Sequence, residues 1–277
     1  MRTNLIKVIS LGALLTGGLL QLTSCSVKED RTPCPAYLNV SLVEEQKEWV
    51  KEPVQMVGYG VEERFRNGVP VEEYDPYWTK AVRKEMLMLS AHIGTRTSAA
   101  NGHHILIPIG QQCDSLYAFQ EMVDCTGDEA FSEVTLHKQF CTVSVDLMKP
   151  ATGPNAISNY RFLVEGNTCG FDLHDFQPVG GAFRIEPMVP EGERILSFRV
   201  PRQQDESLSL KVWLMMGDDR RVEVGTFAIG HLIKRMGYDW TAIDLEDIFI
   251  TIDLINGFIT VSVADWEHGM TFTFIEQ

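Results

Sequence analysis

The chain has 277 residues, 44% hydrophobic, 22% charged and 9% aromatic, with a formal net charge of −14. This is globular composition, long enough for two domains or one large one. The excess of acid repels phosphate backbones and anionic lipid heads, which argues against nucleic-acid binding.

Arg2 and Lys7 precede an uncharged, mostly apolar run from Val8 to Leu22. A basic start, a short greasy middle and small residues before the cut make a secretion signal. The run falls short of the roughly 20 apolar residues that a membrane span needs. It closes on Leu22-Thr23-Ser24-Cys25, which looks like a bacterial lipobox. A diacylglycerol then joins the Cys25 sulfur, cleavage falls between Ser24 and Cys25, and the freed α-amine takes a third acyl chain. Each buried CH₂ contributes about 0.8 kcal/mol, and two chains or more anchor stably. Removing residues 1–24 deletes two positive charges and no negative ones, so the mature charge is −16. Ser26, where an inner-membrane retention signal carries Asp, favours the outer membrane. Residues 25–35 are polar and Pro-punctuated and read as a lipidated tether.

Short strands divided by Gly, Asn, Asp and Pro follow. They are expected at 37–43, 54–61, 104–109, 116–122, 139–147, 160–164, 183–185, 195–200, 208–216 and 221–226. This spacing points to antiparallel sandwiches and not to βαβ units. Asp75–Ser90 reads as a helix, with Pro76-Tyr77-Trp78 at its start reading equally as an extended loop. Ile229–Met236 reads as a short helix with basic residues late in it and Gly237 as its stop. Thr241 and Asp244 stand at capping-box spacing before one further helical turn. Ile248–Ile255, Asn256-Gly257 and Phe258–Val263 make a hairpin, for which Asn-Gly between alternating apolar runs is the strongest short signal. A two-residue turn pairs Ile252 with Val261 and Ile250 with Val263, one face apolar and the other polar. A last strand is expected at 270–275. The boundary between domains is placed near Thr126–Ser132, with Pro150–Asn159 as the alternative.

Reactive groups show no convergence in the sequence. There is no GxSxG, P-loop, HExxH or GxGxxG pattern. His103-His104 suggests a metal pair, but neighbours on a strand point to opposite faces, so the pair is expected at a turn end and not as a chelate. Asp124–Asp128 lacks the Gly and Glu of a calcium loop and reads as a solvated turn. His137, His174, His231 and His268 are scattered. Trp49, Trp78, Trp213, Trp240 and Trp266 make a sugar-stacking platform or ordinary core positions, the second being favoured. Besides Cys25, the five cysteines Cys34, Cys113, Cys125, Cys141 and Cys169 have no zinc spacing. An odd number leaves an unpaired thiol, and no disulfide framework is expected. No catalytic residue, cofactor, metal or small-molecule substrate is assigned, and no enzymatic role is expected.

Four stretches in order carry a resemblance: Cys25–Pro35, Leu136–Val145, Val164–Phe171, and Gly237–Ile248 with its following hairpin and Val263–Glu267. Together they resemble FimB-type fimbrial anchor lipoproteins, over nearly all of the mature chain apart from 46–98. The resemblance implies an all-β chain of two transthyretin-like antiparallel β-sandwich domains in tandem, with one or two short helices. The implied layout is a signal peptide at 1–24, a tether at 25–35 and sandwiches at 36–130 and 131–277. It further implies a lipid-anchored outer-membrane protein at the fimbrial base that tethers a fimbrium and limits its length. The partner is then a fimbrial subunit, bound by β-strand addition. The alternative is a surface-exposed glycan- or host-binding lipoprotein of the same fold.

Overall fold

Alternation of apolar and polar residues sets the first layer. In the computed structural model, which describes residues 34–148, 157–216, 220–253 and 258–263, strand β1 (Ala36–Leu42) buries Ala36, Leu38, Val40 and Leu42 and turns Tyr37 to solvent. This is the period of two that a half-buried strand requires. β1 pairs antiparallel with β4 (Trp78–Val82) and parallel with β9 (Glu129–Val134). Facing this sheet is one of five strands in the order β10-β8-β5-β2-β3: His137–Lys138, Tyr117–Asp124, Met86–Ile93, Val54–Tyr59 and Arg64–Val69. Leu38, Met56, Leu87, Leu89 and Val134 meet in the core between them. A single helical turn, α1 (Glu44–Lys47), follows β1.

The second pair of sheets repeats the plan. One has the order β14-β11-β17-β18, which is Ile195–Pro201, Phe140–Leu147, Ile248–Asp253 and Phe258–Val263. The other has the order β16-β15-β12-β7-β6, which is Arg220–Phe227, Ser209–Met216, Tyr160–Asp172, His104–Leu106 and Ala99–Asn101, with β13 (Gln177–Ile185) along β12. Val143, Val145, Phe162, Phe198, Leu210 and Ile250 fill the core between them. Among the described residues the architecture is all-β, with one further short helix, α2 (Ile229–Arg235). Strand membership interleaves along the sequence. Ala99–Leu106 joins the second pair of sheets and Glu129–Val134 the first.

Several local expectations need correction. No helix forms over 75–90: Pro76 and Tyr77 lie in a loop, as the alternative had it, and β4 and β5 follow, with Leu87 and Leu89 of β5 buried in the core. β12 runs thirteen residues, well past the expected end at 164, because its glycines mark register shifts and not a stop. Gly170 is needed there: a Cβ would lie 2.3 Å from the Ile105 carbonyl oxygen of β7. The β17–β18 hairpin forms, but Ile250 faces Val261 and Ile252 faces Ile259, two residues away from the expected register. A slip of two keeps every side chain on its face, so the apolar pattern alone cannot choose between the two pairings. Asn256-Gly257 and the 270–275 strand lie outside the described residues. Thr241 opens no helical turn. Instead Asp239 accepts from the Thr241 amide at 2.7 Å and its hydroxyl at 2.6 Å.

β5 is covered on both faces, and His92 sits on its second face, 1% exposed, with no hydrogen-bond partner for Nδ1. Burial, with a smaller repulsion from Arg66, pushes this imidazole down to about 4. The folded state therefore refuses a proton that the unfolded chain accepts at its ordinary value of about 6.5. Stability from this group is complete above pH 6.5 and is lost as pH falls toward 4, by about 3 kcal/mol in all. Urea unfolding across this range is expected to show that decline, and His92→Gln to flatten it. An unchanged slope in the variant contradicts the account.

Candidate functional site

The Gly237–Ile248 stretch forms a strap across the end of the second sandwich, and a buried arginine holds it. α2 stops where Gly237 adopts φ 81° and its amide bonds the Lys234 carbonyl at 2.9 Å. Arg202 follows directly on β14 and is 8% exposed. Its Nε donates to Gln139 Oε1 at 2.9 Å, Nη1 to the Trp240 carbonyl at 2.5 Å and Nη2 to the Ile243 carbonyl at 3.2 Å. Burial presses the guanidinium below its usual value, against the opposing pull of Tyr238, Asp239 and Asp244. It keeps its charge all the same.

Carboxylates pin the rest of the strap to the β10–β11 segment. Asp244 accepts from the Lys138 amide at 2.6 Å and from His137 Nδ1 at 2.9 Å. Asp247 accepts from Lys138 Nζ and from the Thr142 amide, both at 2.7 Å. The Tyr238 hydroxyl donates to the Glu246 carbonyl at 2.6 Å, and burial pushes this phenol up. Behind it, the buried Cys141 thiol is raised to about 12, too high to serve as a nucleophile near neutral pH.

Between strap and β12–β13 turn lies a cleft of about 690 Å³. Phe176, Gln177 and Pro178 form one wall, Gln203 to Glu206 the floor, and Lys234, Tyr238 and Trp240 to Ile243 the other. Tyr238 and Trp240 pack ring to ring at 4.6 Å. Phe176 is held at φ 53°, a left-handed conformation that is unusual for an aromatic residue. Gln203 is buried, and its Oε1 lacks a partner among the described residues. The volume is that of a small-molecule or side-chain pocket, apolar with a few polar groups.

The other sequence candidates fall in separate places. Ser24 and Cys25 lie outside the described residues, as does Trp266. Trp49 packs on Tyr117, Trp78 on Phe65 and Trp240 on Tyr238, so these three do not share a platform. Asp124 accepts from the amide and hydroxyl of Thr126 in an exposed turn, as expected. Cys113, Cys125 and Cys141 are buried, Cys169 is half-buried and Cys34 exposed. His231 pairs with Glu206 at 2.7 Å and His137 with Asp244.

His103 and His104 sit at a turn end, as expected, but their imidazoles do not point to opposite faces. Asn101 pairs with His104, so Gly102 and His103 are the two residues of a hairpin turn, and Gly102 has φ 63°. A positive φ at the first turn residue with a negative one at the second is the type II′ pattern. His103 is thus off the strand, strand alternation does not govern it, and both imidazoles approach Asp172. Asp172 stands 68 residues beyond His104, a separation at which sequence alone gives no pairing.

No family model matches the chain, and no curated protein sequence does. Solved structures do. A candidate polysaccharide-binding protein of Bacteroides thetaiotaomicron superposes with TM-score 0.59 at 11% identity, over 87% of this chain and 99% of that one. A candidate adhesin of the same organism superposes with TM-score 0.52 at 13% identity, over 86% and 98%. The fold is shared with these proteins. A looser likeness, TM-score 0.47 at 12% identity over 79% and 91%, is to the fimbrial anchor protein Mfa2 of Porphyromonas gingivalis.

Replacing Arg202 removes the charge that satisfies Gln139 and two strap carbonyls at once. Arg202→Met is expected to cost about 3 kcal/mol, since buried acceptors lose a charged donor. It should also open 238–247 to limited proteolysis. A loss under about 1 kcal/mol, with the strap still protected, contradicts the role assigned to this residue.

Proposed function

We propose that the chain is a non-enzymatic surface lipoprotein that anchors a fimbrium to the outer membrane and limits its length. The observation that carries this reading is the pairing of a lipobox-like Leu22–Cys25 with a body whose described residues form two pairs of packed sheets. The ordered stretches that resemble FimB-type anchors add to it, and the fold is compatible with it.

Strand addition is the binding mode this body favours. Among the described residues, β14 and β16 at the margins of the second sandwich each pair on one side only. An unpaired strand edge presents main-chain donors and acceptors to an incoming strand, and side-chain pockets then select the partner. A membrane-held base must also resist pulling, and three acyl chains provide an anchor that rarely lets go.

Cys25→Ala is expected to move the protein from the membrane fraction to the soluble one, with fimbriae shed into the medium. Membrane retention of the variant, with fimbriae of normal length and attachment, contradicts the proposal. The cleft beside Trp240 favours a second reading, a glycan- or host-binding lipoprotein, because an aromatic face beside amides and carboxylates suits a sugar. Binding of the purified protein to a glycan array and to no fimbrial subunit selects that reading instead.

A further inference from the structure

Where the β6–β7 turn meets the end of β12, two imidazoles and one carboxylate face a common point. His104 Nε2 lies 3.2 Å and His103 Nε2 3.5 Å from the same oxygen, Asp172 Oδ2. The three donor atoms all lie within 4.8 Å of one another. The Asp172 side chain is 8% exposed and the two imidazoles 38% each. A buried anion thus lies under two half-open nitrogens.

The geometry is set in advance by groups that bond elsewhere than at Asp172 Oδ2. The other oxygen of Asp172 accepts from the amides of His174 at 2.8 Å and Asp175 at 3.2 Å, which fixes the plane of the carboxylate. Burial pushes this carboxyl up, but those two amides and the two imidazoles outweigh it and hold the group below its ordinary value. His104 is the direct antiparallel partner of Asp172, so both side chains share a face. Arg66 Nη2 donates to the Gly102 carbonyl at 2.6 Å and steadies the turn that carries His103.

The distances fit two uses of such a cluster, since 3.2 Å is also within hydrogen-bond range. As plain hydrogen bonding, two imidazoles compete for one carboxylate oxygen. As ligation, zinc bonded to nitrogen and oxygen at ~2.0–2.1 Å in a tetrahedron places its ligands ~3.3 Å apart. The two nitrogen-to-oxygen separations, 3.2 and 3.5 Å, are close to that edge length, and the two nitrogens lie within 4.8 Å of each other. Two imidazoles and a carboxylate also form a donor set suited to divalent ions of borderline softness.

We propose that His103 Nε2, His104 Nε2 and Asp172 Oδ2 form a binding site for a zinc-like divalent cation, with the fourth position open to solvent. The bound ion crosslinks the β6–β7 turn to β12. Because the ligands converge only in the folded chain, binding stabilises that state in proportion to the logarithm of ion concentration.

Zinc chloride titrated calorimetrically into tag-free, EDTA-treated protein is expected to bind at one ion per chain through this site. His103→Ala and His104→Ala are each expected to weaken it at least about tenfold, since even outer-shell changes cost that much. Both residues are half-exposed at a turn, so neither change threatens folding. Asp172→Asn keeps an oxygen for the two amides and is expected to weaken binding likewise. His231→Ala, at a surface histidine paired with Glu206, is expected to leave it unchanged. Zinc should raise the melting temperature of the parent chain and not of the H103A/H104A double variant. Equal zinc affinity in parent and double variant, or an equal zinc-dependent rise in melting temperature, overturns the proposal.

Discussion

One buried guanidinium ties together three lengths of chain that the sequence keeps far apart. Arg202 reaches Gln139, at the passage between the two pairs of sheets, and two carbonyls of the 238–247 strap. Gln139 is itself anchored on both sides, its amide bonding the Leu116 carbonyl and its carbonyl accepting the Arg202 amide. A charge with so little exposure needs compensating acceptors, and each of the three guanidinium nitrogens has one. The three lengths that meet it therefore fit in one arrangement.

Packing repeats what the polar node begins. Tyr117 contacts both cores, with Trp49 on one side of it at 4.9 Å and Phe140 on the other at 5.6 Å. A small third cluster, Ile105, Leu116, Ala118, Phe171 and Leu173, joins β7, β8 and the end of β12. Ser90 of β5 donates to the Leu173 carbonyl at 2.9 Å, out of sight of solvent. Since Ala99–Leu106 leaves the first group of strands for the second and the chain then returns, pulling one pair of sheets from the other breaks paired strands. Residues 36–277 form one compact unit.

Much of this was legible from residue pattern. The alternation in Ala36–Leu42, Phe140–Leu147 and Ile248–Asp253 gives strands whose inward residues are those buried. Gly237 after Lys234 and Arg235 gives the end of α2. What failed did so for physical reasons. β5 reads ambiguously because it is buried on both faces, and continuous apolar runs have no diagnostic period. The β17–β18 register is undetermined because a shift of two preserves the faces. His103 and His104 stand at the expected turn end, but their side chains do not diverge, because the turn at Gly102 releases His103 from strand alternation. Arg202 and Gln139 gave no local signal, since only the fold brings them together.

Calorimetric unfolding of residues 36–277 tests the central claim, that the Arg202–Gln139 node and the shared packing make the two sandwiches one cooperative unit. The account predicts a single transition whose calorimetric and van't Hoff enthalpies agree. Two resolved transitions, one for each sandwich, contradict it.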